Sequence, residues 1–207
     1  STSATPNAAG EPWPLRRGSP RVIGVLGLQG AFAAHVERLT ELGAVARLVT
    51  TPADLVGVDA LVMPGGESTT MSKLLVSSGL FDPIAARLAD GMPAFGTCAG
   101  MILLAREVLD GRPDQRCFGA IDIAVQRNGY GRQLDSFETE FAVDGRPFPA
   151  VFIRAPKITR VGPGVEVLAE HDGVPVLARQ GVVSVAAFHP ELARDPRLHA
   201  QFLDHLN

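Results

Sequence analysis

Three short stretches of the sequence hold side chains able to do nucleophilic chemistry. Gly96-Thr97-Cys98-Ala99-Gly100 has the form of a G-x-S-x-G elbow with sulfur in place of the hydroxyl. It stands between a short apolar run, Ala94-Phe95, and a run of good helix formers over residues 101–108 that lacks Gly and Pro. A strand that turns directly into a helix bends so sharply that only small neighbours fit, and the middle side chain is pushed clear of the sheet. Cys98 would then sit at a helix N-terminus, whose partial positive charge favours thiolate. The Ala99 N–H would face a developing oxyanion.

The second stretch is Pro64-Gly65-Gly66-Glu67-Ser68-Thr69. Pro64 stops a strand, the two glycines allow a ligand close to the backbone, and the Gly66 N–H could form the other half of an oxyanion hole. Ser68 is predicted to cap a helix running through Met71, Leu74 and Leu75. The third stretch is Phe188-His189-Pro190-Glu191. Pro190 enforces extended backbone on His189, and in an extended segment side chains two apart face the same way, roughly 6.6 Å apart. A carboxylate that orients an imidazole is the base-plus-orienter half of a triad. His35, His171, His199 and His205 are read as lying on helix faces or turns without such partners, and Cys117 as structural.

These residues need elements that deliver them to one place. Residues 22–28 form a near-continuous apolar run, as expected for a strand buried on both faces. Phe32, Val36, Leu39 and Leu42 recur at helical spacing until Gly43. Residues 44–49 and 60–63 supply two more strands, and a helix over residues 82–90 precedes the elbow strand. Strands alternating with helices predict an α/β fold with a mostly parallel central sheet flanked by helices. From Ala120 the segments shorten into strands near residues 121–125, 137–143 and 150–154, predicted as an antiparallel β extension of the sheet. Sites in such sheets lie beyond the carboxyl ends of the strands. Gln29, Gly65-Gly66 and Cys98 all follow strands directly. The last helix, near residues 195–206, carries the stripe Leu198, Phe202, Leu206.

Composition limits the functional classes. The 207 residues include 46% hydrophobic and 20% charged, enough for one ordinary domain over residues 21–207, with residues 1–20 read as a disordered tail rich in Ser, Pro, Ala and Gly. A net charge of -3 argues against nucleic acid or an anionic membrane as the main partner. No apolar run reaches transmembrane length. Two cysteines are too few for a disulfide framework and suit a reducing, cytoplasmic setting. No cluster of metal ligands is apparent, so no metal or other cofactor is expected.

Taken together, several motifs resemble those of the class I (triad) glutamine amidotransferases. The resemblance narrows to the glutaminase subunits of pyridoxal 5′-phosphate synthases and covers residues 22–206. It rests on Leu26-Gly27-Leu28-Gln29-Gly30, Pro64-Gly65-Gly66-Glu67-Ser68-Thr69-Thr70-Met71, Gly96-Thr97-Cys98-Ala99-Gly100-Met101, Arg127-Asn128 with Gly131 and Ser136-Phe137-Glu138, Phe152-Ile153-Arg154-Ala155-Pro156, and Phe188-His189-Pro190-Glu191. Gly27 stands where that family usually has Ala. The resemblance implies a flavodoxin-like class I glutaminase fold. It makes Cys98 the nucleophile, His189 the base and Glu191 its partner. Gly66, Glu67 and Ser68 would line the glutamine site, with Arg127, Ile153 and Arg154 completing it.

The implied reaction is hydrolysis of L-glutamine to L-glutamate and ammonia through a Cys98 thioester. The ammonia would pass to a barrel-shaped pyridoxal 5′-phosphate synthase subunit for vitamin B6 biosynthesis. Docking of that subunit, with the Gln29-Gly30 loop as the expected edge, would complete the oxyanion hole by moving the Gly65-Gly66 peptide. Two other readings fit an elbow cysteine. One is a stand-alone hydrolase such as a γ-glutamyl hydrolase or a DJ-1-like deglycase or protease. The other is a non-enzymatic subunit whose Cys98 senses oxidants.

Overall fold

The computed structural model of the chain describes residues 19–130 and 136–207. The expected tail, apart from Ser19 and Pro20, lies outside the described residues, as does Gly131. A seven-stranded sheet forms the centre. Its strands are β1 (Val22–Leu26), β2 (Val45–Val49), β3 (Ala60–Met63), β4 (Ala94–Thr97), β10 (Glu166–His171), β11 (Val174–Gln180) and β12 (Val183–Ala186), in the spatial order β10-β11-β12-β4-β3-β1-β2. From β12 to β2 every pairing is parallel, while β10 and β11 add antiparallel strands at one edge. All residues of β1, β3 and β4 are buried, which is why their sequences read as unbroken apolar runs.

Helices α1 (Phe32–Glu41), α2 (Ser68–Ser77), α3 (Phe81–Ala89), α4 (Ala99–Leu104) and α5 (Arg197–Asp204) pack around this sheet, close to the sequence expectation. Among the described residues no helix is long and apolar enough to cross a membrane. Because β1, β3, β4 and β12 are parallel, the residues that follow their carboxyl ends emerge along one edge. Those residues are Gln29, Pro64-Gly65-Gly66, Cys98 and His189.

The predicted helix over residues 101–108 is shorter than expected. It stops at Leu104, and Ala105–Val108 is a strand, β5. The carbonyls of Leu103 and Leu104 are taken by the N–H groups of Phe118 and Ala120, at 2.7 and 2.8 Å, so the segment turns outward to pair with β6 (Ile121–Gln126). Helix propensity loses there to long-range backbone pairing.

The strands of the second half also assemble differently from the simple extension expected. β6 pairs in parallel with β5 and antiparallel with β9 (Lys157–Val161), forming a separate three-stranded sheet. β7 (Ser136–Val143) and β8 (Arg146–Ile153) form their own antiparallel hairpin. The antiparallel extension of the central sheet is made instead by β10 and β11.

The β7–β8 hairpin matters because of what it covers. Phe141, Phe148 and Phe152 lie against Phe188, with ring centroids 5.1 to 5.9 Å apart, a spacing at which aromatic pairs attract. The His189 N–H donates to the Val151 carbonyl at 2.8 Å. The hairpin therefore fixes the backbone entering His189 and carries the end of β8 to Cys98.

Candidate active site

The elbow has the strain its sequence predicts. Cys98 sits at φ 51°, ψ −109°, a region that non-glycine residues rarely adopt and that the surrounding structure must enforce. Its N–H donates to the Ala186 carbonyl at 2.8 Å, and its carbonyl accepts from Met101 and Ile102. Side chains on the neighbouring glycines have no room: a Cβ on Gly100 would overlap the Met63 carbonyl, and one on Gly96 would fall 2.6 Å from the Gly100 carbonyl oxygen. Ala99 opens α4, so its N–H is one of the helix-start donors with no intrahelical acceptor. The thiol is buried, with 6% of its residue surface exposed, and donates to the Ile153 carbonyl at 3.7 Å.

His189 faces the sulfur. A methyl group on Gly65 would overlap Cε1 of His189 and lie 3.3 Å from Cβ of Cys98, so the two side chains border one small space. The His189–Glu191 pair forms as expected, with Nδ1 2.5 Å from Oε1 of Glu191. The reason differs from the extended segment predicted, because Pro190–Leu192 is a 3₁₀ turn that curls Glu191 back beneath the ring. Burial works against the charged imidazolium, but hydrogen bonds with Cys98 and Glu191, together with their charges, raise His189 to about 10. It carries its proton at neutral pH.

Sequence reasoning missed two further histidines here. His35 and His199 are fully buried, with Nδ1 of His35 2.9 Å from Nε2 of His199. Nε2 of His35 lies 3.2 Å from Oγ1 of Thr97 and 3.4 Å from Oε2 of Glu191. They are therefore not isolated on helix faces. The signal was available: His35 shares the i, i+4 stripe of α1 with Leu39, and His199 lies three residues from Phe202 on α5.

The glutamine-site residues inferred from resemblance are placed as follows. Gly66 is exposed and follows Gly65, the glycine that borders Cys98 and His189. The carbonyl of Gly65 accepts from the Ala31 N–H at 3.0 Å, so the Gly66 N–H, on the same trans peptide, points away from Ala31. The Glu67 N–H is held by Oε1 of Gln29 at 2.9 Å. Glu67, not Ser68, caps α2: its carboxylate accepts from the N–H groups of Thr69 and Thr70, at 3.2 and 2.6 Å. A carboxylate reaches two of the orphan donors from one position back, where the Ser68 hydroxyl is too short. Ser68 is buried in the first turn.

Arg127 reaches the same helix start, donating to Oγ1 of Thr69 at 3.1 Å and to Gln115 at 3.3 Å. Ile153 ends β8 next to the thiol, and Arg154 just after it takes a left-handed φ of 43°. Cys117 is apart from this cluster. Burial pushes its thiol up to about 11, against a weaker opposing hydrogen bond with Gln115, which suits the structural role expected for it.

Known proteins resemble this chain in sequence and in fold. The sequence model of the SNO glutamine amidotransferase family matches residues 25–207. The chain is 53% identical over 186 residues to the pyridoxal 5′-phosphate synthase subunit PdxT of Streptomyces coelicolor, covering 88% of this chain and 92% of that protein. It is 54% identical over 186 residues to the protein of the same name from Mycobacteroides abscessus, covering 88% and 96%. A solved glutamine amidotransferase superposes with a TM-score of 0.84 at 48% identity, over 89% of this chain and 98% of that one. PurLQS from Thermotoga maritima has a TM-score of 0.60 at 14% identity, over 91% of this chain and 99% of that one, a likeness of fold alone.

Proposed function

Because the chain belongs to the SNO glutamine amidotransferase family, we propose that Cys98, His189 and Glu191 are the residues with which it hydrolyses glutamine. The protein is a glutaminase, and it supplies ammonia for pyridoxal 5′-phosphate synthesis. The observation that carries the residue assignment is the strained Cys98 facing an imidazole whose other nitrogen is bound to Glu191 at 2.5 Å.

The chemistry follows from that arrangement. With the proton already held by His189, the Cys98 sulfur attacks the side-chain amide carbon of glutamine as a thiolate. The N–H groups of Ala99 and Gly66 receive the oxyanion. The imidazolium then protonates the amide nitrogen, the C–N bond breaks and ammonia leaves. Water, losing a proton to His189, cleaves the γ-glutamyl thioester and releases glutamate. Glu191 holds the ring in the correct tautomer throughout. Substrate displaces the contact between the thiol and the Ile153 carbonyl. Gly66, Glu67 and Ser68 offer mainly backbone to the substrate, since the Glu67 carboxylate is committed to α2. Arg127, at the start of α2, and Arg154, just past β8, suit the α-carboxylate of glutamine.

Ammonia released into water at neutral pH becomes ammonium and loses its nucleophilicity, so the partner is a synthase subunit docked over the site. The Gln29-Gly30 loop is the edge proposed for it. Gln29 holds the Glu67 N–H and Ala31 holds the Gly65 carbonyl, so pressure on this loop bears directly on the Gly65-Gly66 peptide. The free thiols of Cys98 and Cys117 suit a cytoplasmic setting.

The deciding experiment is glutaminase assay of the chain with and without the synthase subunit, combined with labelling by a diazo-ketone glutamine analogue. Faster turnover with the subunit, and labelling of Cys98 that glutamine blocks, are expected. Oxidation of Cys98 by peroxide without labelling by the analogue would favour a sensor instead. Equal rates with and without the subunit would remove the docking role.

A further inference from the structure

Hydrolysis uses only one oxygen of Glu191. The other, Oε2, is buried and, among the described residues, accepts no completed hydrogen bond. Behind it stands the pair His35 and His199, buried groups for which the thioester chemistry has no use. Their hydrogen placement follows from one further atom. Nδ1 of His199 is buried without a partner. An orphaned N–H is costlier than an idle lone pair, so the proton of His199 is on Nε2. That N–H donates to Nδ1 of His35, 2.9 Å away, which leaves the His35 proton on Nε2. This second N–H faces Oγ1 of Thr97 at 3.2 Å, and Oε2 of Glu191 lies 3.4 Å from the same nitrogen.

We propose that His35 is a positioning residue for the triad, presenting an Nε2–H to the free oxygen of Glu191 while His199 fixes its tautomer. The inference rests on the glutaminase reading for its kinetic consequences. A buried carboxylate oxygen with no donor drifts toward the protonated acid, which would strip His189 of its anionic partner. A cation in the same place would keep the carboxylate ionised but would compete with His189 for its charge. A neutral imidazole N–H orients the carboxylate and leaves that charge available. His35 is suited to stay neutral: burial disfavours its charged form, and His199 and His189 nearby add to the effect.

The groups that bear on Glu191 come from several elements. His189 is on its own turn, with Cys98 beyond it. His35 projects from α1, Thr97 from β4, and His199 from α5. Arg38 on α1 stands behind His199 and donates to the Ala193 carbonyl at 2.7 Å.

The test compares His35→Phe, His35→Gln and Thr97→Val in the full chain with its synthase subunit, by pH profiles of kcat and KM. Alongside these, NMR reads the His189 Nδ1–H resonance. With His35→Phe, kcat falls about tenfold or more while KM for glutamine changes less than about twofold, as expected for a group that does not bind substrate. Its acid limb moves up by about one pH unit, the size of a lost hydrogen bond to a charged group. His35→Gln keeps an N–H near Oε2 and recovers most of that loss. Thr97→Val removes the competing acceptor and moves the acid limb the other way.

A folded His35→Phe protein with parental kcat and acid limb overturns the proposal. So does a folded His35→Gln protein as impaired as the Phe variant. Should the Phe variant fail to fold, an unmoved acid limb in Thr97→Val overturns it. If the parent chain shows no glutaminase activity, the functional reading fails separately. The His189 resonance then decides the positioning claim, and no change from parent to a folded His35→Phe, or to Thr97→Val where the Phe variant does not fold, overturns it.

Discussion

Two histidines approach Glu191 from opposite sides, and each is removed from water. His189 is 6% exposed and His35 is 0% exposed, so burial pushes both toward the neutral form. His189 nevertheless rises to about 10, while His35 falls well below the ordinary histidine value. The difference lies in what each ring meets. His189 has the Cys98 sulfur on one side and a carboxylate oxygen at 2.5 Å on the other. His35 meets a hydroxyl, a second histidine and a carboxylate oxygen at 3.4 Å. Less than an ångström in distance to the carboxylate separates a ring that keeps its proton from one held toward the neutral form.

The strongest way to break this comparison is to remove the charge both rings face. Glu191→Gln keeps the shape but loses the anion. Turnover is expected to fall on the order of 10²- to 10⁴-fold, the range for a general base deprived of its orienting carboxylate. The His189 titration, read by NMR, moves down from about 10 because two of its raising influences come from Glu191. A variant whose His189 still titrates where the parent's does would show that Cys98 alone sets the state of the ring.

A smaller effect is expected from crowding the space between the sulfur and the ring. Gly65→Ala places a methyl where it overlaps Cε1 of His189 and presses on Cβ of Cys98. Both neighbours are side-chain atoms, so the ring can tilt and the fold survives. A displacement of about an ångström costs on the order of 10²-fold in rate. Circular dichroism and thermal melting should remain close to the parent while turnover drops. The same change at Gly100 meets the Met63 carbonyl, which is backbone and cannot give way, and there the fold itself is lost.

The contrast between these glycines also explains what could be read in the sequence. The elbow was legible because its constraint is local: a strand running into a helix through Cys98 permits only small residues at Gly96, Ala99 and Gly100. The proximity of His189 to Glu191 was legible for a similar reason, although the turn at Pro190 rather than an extended strand creates it. The end of α4 was hidden, since Leu103 and Leu104 lose their carbonyls to Phe118 and Ala120, residues more than a dozen positions away. The Glu67 cap was obscured by a serine one position later that is the preferred cap by residue type. His35 and His199 belong to positions 164 residues apart, and only their places on the buried stripes of α1 and α5 hinted that they were inside.

The smallest effect concerns stability rather than rate, and it isolates the neutral side of the carboxylate. Burial, followed by the charge of Arg38, lowers His199 to about 4 from 6.5. Below pH 6.5 the unfolded chain takes up a proton that the folded chain refuses until about pH 4. The stabilisation from a neutral His199 is therefore complete above pH 6.5 and lost as the pH falls toward 4. Between about pH 7 and pH 5 this single group costs about 2 kcal/mol. For a chain of this length, that is roughly 4–8 °C of melting temperature. His189, with its raised pKa, acts in the opposite sense over the same range and is common to both proteins. His199→Leu should therefore melt at a more nearly constant temperature from pH 7 to pH 5 than the parent, even if its absolute stability at pH 7 is lower. If both proteins lose the same number of degrees, His199 is not held neutral in the fold, and the donor chain through His35 to Glu191 loses its first link.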